Sequence, residues 1–104
     1  MKAVFSAVAL AAFALSSGAA FADADAAMNK AGCMACHAKD KKIVGPAFKD
    51  IAAKYKGQDV SAKLFDKVRK GGSGSFGPIP MSPNGPDKIA DPELKDAIAA
   101  ILKS

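Results

Sequence analysis

Cys33-Met34-Ala35-Cys36-His37 decides how this chain is read. Two thiols stand two residues apart and an imidazole follows directly. Thiols about one helical turn apart can add to the two vinyl groups of one porphyrin. The adjacent imidazole then lies under the ring and can bind iron through Nε2, since neutral imidazole is a strong ligand of ferrous and ferric iron. The C-x-x-C-H pattern therefore reads as an attachment site for a c-type haem. A structural zinc site needs four ligands, and the sequence offers two Cys and one His. A thioredoxin-like dithiol needs a βαβ context, which the surrounding pattern lacks. A plain disulfide suits an oxidising compartment, but it leaves a large apolar loop further along the chain without a purpose.

Upstream of the motif, Lys2 is followed by Ala3 to Leu15, an apolar run broken only by Ser6. Ser16-Ser17-Gly18 and then Ala20-Phe21-Ala22 complete the layout of a secretory signal peptide, cut between Ala22 and Asp23. An uncleaved anchor is the rival reading, and the run falls short of the roughly 20 residues that span a bilayer. The expectation is a signal over residues 1–22 and one domain over 23–104, exported to the periplasm, with no membrane insertion after cleavage. A length of 104 residues disfavours a multidomain enzyme, a repeat array or an intrinsically disordered tail. A core this thin often needs a disulfide, a metal or a cofactor to hold it. The net charge of +5 is carried by basic residues spread mostly singly along the chain, with Lys39, Lys41 and Lys42 as the densest run. With no Arg cluster and no interleaved aromatics, nucleic acid is not an expected partner.

The domain reads as all-α. A helix is predicted from Asp25 to about Ala35, with Ala24, Ala27, Met28 and Ala31 on its apolar side. Pro46 to Lys56 is amphipathic through Phe48, Ile51, Ala52 and Tyr55, with Pro46 at the first helical position and Gly57 as the stop. Val60 to Lys70 repeats the pattern through Leu64, Phe65 and Val68. Asp91-Pro92-Glu93 reads as a capping Asp, a first-position Pro and an acidic first turn. Leu94, Ala97, Ile98, Ile101 and Leu102 then form one stripe. Between Gly71 and Pro86, five Gly and four Pro forbid regular structure, and no strand is expected anywhere. The prolines stiffen this loop, and Phe76, Ile79 and Met81 give it something to bury.

His37 is the only histidine, so a second axial imidazole cannot come from the same chain. A sixth iron ligand has to be Met, Lys, another group, water or nothing. Met34 lies inside the attachment loop and Met28 on the helix leading into it. Met81, far away in the Pro-rich loop, can approach from the other face, and thioether ligation is an established haem mode. Met81 is the choice, against a methionine that merely packs the loop. The Pro46 carbonyl is free to accept from His37 Nδ1–H, which would set the tautomer and orient the ring.

Three segments then occur in a telling order: the attachment motif, Val44-Gly45-Pro46-Ala47-Phe48-Lys49-Asp50, and Gly77-Pro78-Ile79-Pro80-Met81-Ser82-Pro83-Asn84. With them the chain closely resembles the small bacterial class I cytochromes c of the c-551/c-552 type, over essentially all of residues 23–104. The resemblance implies about four helices wrapped around one covalently attached haem c, with the first and last helices crossing. It implies thioether bonds from Cys33 and Cys36 and axial ligation by His37 and Met81. It matches Asn84 to the position whose side chain can hydrogen-bond the Met sulfur, and the Pro46 carbonyl to the partner of the histidine. One departure stands out: the family usually carries Trp where Phe76 stands, and the indole N–H can bond a haem propionate. Phe76 keeps the packing and cannot donate. Lys67 falls where a basic residue near a propionate is expected.

The leading functional expectation is a monomeric, soluble one-electron shuttle and not an enzyme. It would serve a respiratory or related chain through redox partners with acidic docking surfaces. A haem enzyme or gas sensor with an open sixth position is the second reading, and a haem-free thiol–disulfide protein the third.

Overall fold

The structure, a computed structural model, describes residues 16–104, with side chains from residue 23 onward. Most of the expected signal peptide therefore lies outside the described residues. The first helix, α1 (Ser16–Ala31), runs without a break through the expected cut between Ala22 and Asp23. It begins before the predicted Asp25 and ends before the predicted Ala35. Its end is set by Gly32, whose φ of 86° lies in the left-handed region. Cys33–Ala35 then turns as a short 3₁₀ segment. This break swings the two thiols and the imidazole off the axis of α1.

The second helix, α2, spans Phe48–Lys54, two residues later than a Pro46 start would give. Pro46 stays outside because its carbonyl is engaged by His37 and Ala47 is the extended cap, with ψ of 148°. The third helix, α3 (Ser61–Lys70), and the fourth, α4 (Asp91–Leu102), fall close to the predicted spans. At the start of α4, Ala90 and not Asp91 occupies the cap position. The Ala90 N–H donates to Glu93 Oε1 at 3.2 Å, so the third helical residue reaches back to satisfy it.

The Gly- and Pro-rich segment overturns one expectation. It holds a short antiparallel ribbon, β1 (Gly72–Gly74) and β2 (Gly77–Met81), in which Gly72 pairs with Met81 and Gly74 with Gly77. Gly72, Gly74 and Gly77 all have φ near +100°, a backbone that only glycine adopts without strain. Pro78 and Pro80 are tolerated because a two-strand ribbon consists only of edges, where an absent N–H breaks no second ladder. The architecture remains four helices, with this ribbon as the one sheet among the described residues.

The core forms where α1 meets α4. Ala24, Ala27 and Met28 pack with Leu94, Ala97 and Ile98, and Phe48 and Ile89 close the cluster. The alanines keep the two helices close. By contrast, α3 buries none of its residues fully. Leu64, Phe65 and Val68 are only half-buried against that cluster. A strongly amphipathic helix with an incompletely covered apolar stripe has a wall that wants another apolar body.

Candidate haem site

That wall belongs to a cavity of about 830 Å³. Cys33, Cys36 and His37 line one part of it, Met81 and Ile79 another, and Leu64, Val68, Leu94 and Ile98 form apolar sides. The volume lies in the upper range of cofactor-sized pockets, roughly 300–1,000 Å³. Both cysteines carry free thiols. Burial pushes the Cys33 thiol up from its ordinary value. Its own backbone hydrogen bond lowers it in part, and the neighbouring Cys36 adds to the rise.

The attachment loop is folded by its own backbone. The Cys33 carbonyl accepts from Cys36 N at 3.2 Å and His37 N at 3.0 Å, and the Cys36 carbonyl accepts from Val44 N at 3.2 Å and Gly45 N at 2.8 Å. These bonds return residues 44–46 beside the histidine. His37 Nδ1 lies 2.7 Å from the Pro46 carbonyl oxygen. A carbonyl can only accept, so Nδ1 carries a proton, and in the neutral ring it is Nε2 that holds the lone pair. Phe48 stacks on the imidazole with ring centroids 5.4 Å apart at 26°. Gly45 touches it from another side: a Cβ there would stand 2.6 Å from His37 Cε1. The ring is therefore fixed in rotation, in tautomer and on its flank.

The remaining candidates are arranged around the ribbon. Met81 closes β2 and is half-buried. The Asn84 side-chain amide donates to the Ser82 carbonyl at 3.0 Å, while its backbone N–H donates to Val68 O at 2.9 Å. Phe76 is 39% exposed and meets Tyr55 edge-on with centroids 6.4 Å apart. Lys54 Nζ lies 4.4 Å from the Phe76 centroid and donates to the Ser75 carbonyl. Lys67 lines the cavity, and its Nζ reaches the Ser73 carbonyl at 3.4 Å. Pro46, Phe76 and Asn84 also line the cavity, so every candidate residue borders one space.

Sequence reasoning passed over two contributors. The Gly45-Pro46 pair stands out in the sequence for the Pro46 carbonyl, not for the glycine itself. Its close approach to the imidazole has no local signature beyond the Gly-Pro pair. Arg69 was not singled out, although it is the only arginine in the chain. Its guanidinium bonds the carbonyls of Asn84 and Ile89 and the carboxylate of Asp91.

The residues suit a haem on physical grounds. The cavity is apolar-walled, two thiols and an imidazole with a free Nε2 open onto it, and a thioether borders it from a distant segment.

Comparison with known proteins gives the same answer. The family model described as Cytochrome c matches residues 21–104. Cytochrome c-551 of Pseudomonas aeruginosa is 48% identical over 89 residues, 85% of this chain and 83% of that protein. Cytochrome c2 of Rubrivivax gelatinosus is 47% identical over 76 residues, 72% of this chain and 89% of that protein. The crystal structure of wild-type Nitrosomonas europaea cytochrome c552 superposes with a TM-score of 0.68 at 41% identity, covering 76% of this chain and 96% of that one. The chain belongs to the cytochrome c family, as a small class I member carrying one covalently attached haem c.

Proposed function

We propose that this electron carrier works in the periplasm as a one-electron shuttle, in which Cys33 and Cys36 would tether the haem and His37 and Met81 would ligate its iron. When bound, the haem supplies an iron that alternates between ferric and ferrous. Everything else is the work of the polypeptide. The Pro46 carbonyl holds the Nδ1 proton of His37 and so presents Nε2 as the donor atom. Phe48 and Gly45 stop the imidazole from turning. The ribbon and the prolines hold Met81 in one place, so little has to rearrange between the two oxidation states. A thioether ligand raises the potential, and the apolar walls disfavour the additional ferric charge.

The observation that carries this reading is the joint placement of Cys33, Cys36, His37 and Met81 around a single apolar cavity. No helix among the described residues is long and apolar enough to cross a membrane. Docking is assigned to the lysine-bearing rim, where Lys63 and Lys67 border the cavity mouth, and to acidic surfaces on the partners. Such complexes are small and transient. Asn84 and Lys67 are proposed as supports for the Met81 sulfur and for a propionate, and the chain as a monomer.

The test is a ferric spectrum combined with carbon monoxide binding to the reduced native protein. A weak charge-transfer band at the red end of the visible range and slow, incomplete carbon monoxide binding are expected. Rapid carbon monoxide binding with no such band would instead favour a sensor or enzyme with an open sixth position.

A further inference from the structure

Arg69 sits in the last turn of α3 with a side chain only 13% exposed. Its Nη1 donates to the Asn84 carbonyl at 3.1 Å and to the Ile89 carbonyl at 2.8 Å. Nη2 pairs with Asp91 Oδ1 at 2.5 Å, and the guanidinium carbon lies 5.0 Å from the centroid of Phe65. A planar fork of donors can serve three acceptors at once, which an ammonium on a flexible stem does poorly. The acceptors come from different places. Asn84 is three residues past Met81, Ile89 is buried in the core, and Asp91 opens α4.

Met81 is therefore suspended between two anchors on the same end of α3. On one side, its strand pairs with Gly72, just past the helix end. A Cβ on Gly71 would collide with the Met81 carbonyl, so this contact is close. On the other side, Asn84 is tied to Val68 O by its N–H and to Arg69 by its carbonyl. Of these ties, only the Arg69 side chain also reaches α4 and the core.

We infer that Arg69 is a positioning residue for Met81: it clamps the segment after the methionine to α3 and α4 and so sets how readily the thioether leaves its place. The inference rests on Met81 being the axial ligand. A small external ligand can bind ferric iron only in molecules whose methionine has swung away. Its apparent affinity is scaled by that open fraction. Removing the guanidinium leaves the Asn84 and Ile89 carbonyls without their donor and enlarges the open fraction.

The experiment is an imidazole titration of the ferric holoprotein in four forms: wild type, Arg69→Gln, Met81→Ala and the double variant. Arg69→Gln should bind imidazole at least about tenfold more tightly than wild type. Met81→Ala should bind more tightly still, and adding Arg69→Gln to it should change affinity by less than about twofold, since the residue it acts through is gone. Wild-type affinity in Arg69→Gln would overturn the inference. So would an equal gain in both backgrounds, which would mark Arg69 as acting on the fold at large. If Met81→Ala keeps wild-type affinity and the red-end band, the ligand assignment itself falls, in a pattern distinct from the other two. Should Arg69→Gln fail to mature, Arg69→Lys and Asp91→Asn carry the test. Both should tighten imidazole binding by a smaller factor, and wild-type affinity in both would refute the clamp.

Discussion

Gly45→Ala adds a single methyl group and aims it at the histidine. The new Cβ would start 2.6 Å from His37 Cε1, 3.0 Å from Nδ1 and 3.1 Å from Nε2. Reaching an ordinary contact of 3.4 Å requires a shift of about 0.8 Å. The imidazole has nowhere to go, because Phe48 stacks on it and its Nδ1 is held by the Pro46 carbonyl. The Gly45 backbone cannot retreat freely either, since its N–H is bonded to Cys36 O at 2.8 Å. Overpacking of this kind costs about 1–3 kcal/mol. For a domain of this size, that lowers Tm by roughly 5–20 °C. The variant should also displace the imidazole proton resonances and move the reduction potential, because the ligand changes orientation or loses its partner. Gly57→Ala is the control. Its φ of 77° makes alanine strained, but a Cβ there meets nothing within 4 Å. It should lose about 1–2 kcal/mol through the backbone alone and keep the wild-type potential. Calorimetry, proton NMR and voltammetry on the two variants decide the matter. A Gly45→Ala protein with wild-type Tm, potential and imidazole shifts would refute the claim that the glycine is there to let the ring in.

Three further outcomes are expected. Met81→Ala should retain the covalent haem, lose the red-end ferric band, bind carbon monoxide quickly once reduced and show a lower potential, all measurable by spectroscopy and voltammetry. The apoprotein should be largely unfolded by circular dichroism. Among the described residues, five of the twelve buried apolar ones are alanines and α3 buries none of its residues fully, so the cavity walls would face water at about 25 cal/mol per Å². A cooperative, well-folded apo form would contradict this. Electron exchange with an acidic redox protein should slow as ionic strength rises. A rate that ignores salt would remove the lysine rim from docking and leave the carrier role intact.

What the sequence made legible and what it hid divides along the range of the interaction. Helix α4 is announced by Pro92 and Glu93 and by the spacing of Leu94, Ala97 and Ile98, all local signals, and it falls where they place it. The start of α2 misleads, because Pro46 is an apt first helical residue until its carbonyl is claimed by a histidine nine positions back. The helix leading into the attachment motif ends early because Gly32 turns left-handed, and the run of good helix formers around it gives no warning. The ribbon was hidden for a related reason. Strands are normally recognised by alternating apolar side chains, and Gly72 to Gly74 has none to alternate. At the site, the thiols, the imidazole and the methionine are legible because their chemistry is rare in this chain. The contributions of Gly45 and Arg69 are not legible, since one is a close approach in space and the other joins segments 15 to 22 residues apart. The single arginine among so many lysines was the one available hint.

Intact mass spectrometry of the protein secreted by a host able to attach haem reports whether a haem is joined to Cys33 and Cys36. A single species weighing as much as the polypeptide from Asp23 plus one haem is expected, with Cys33→Ser and Cys36→Ser each weakening or abolishing that addition. A colourless product with the mass of the polypeptide alone would contradict it.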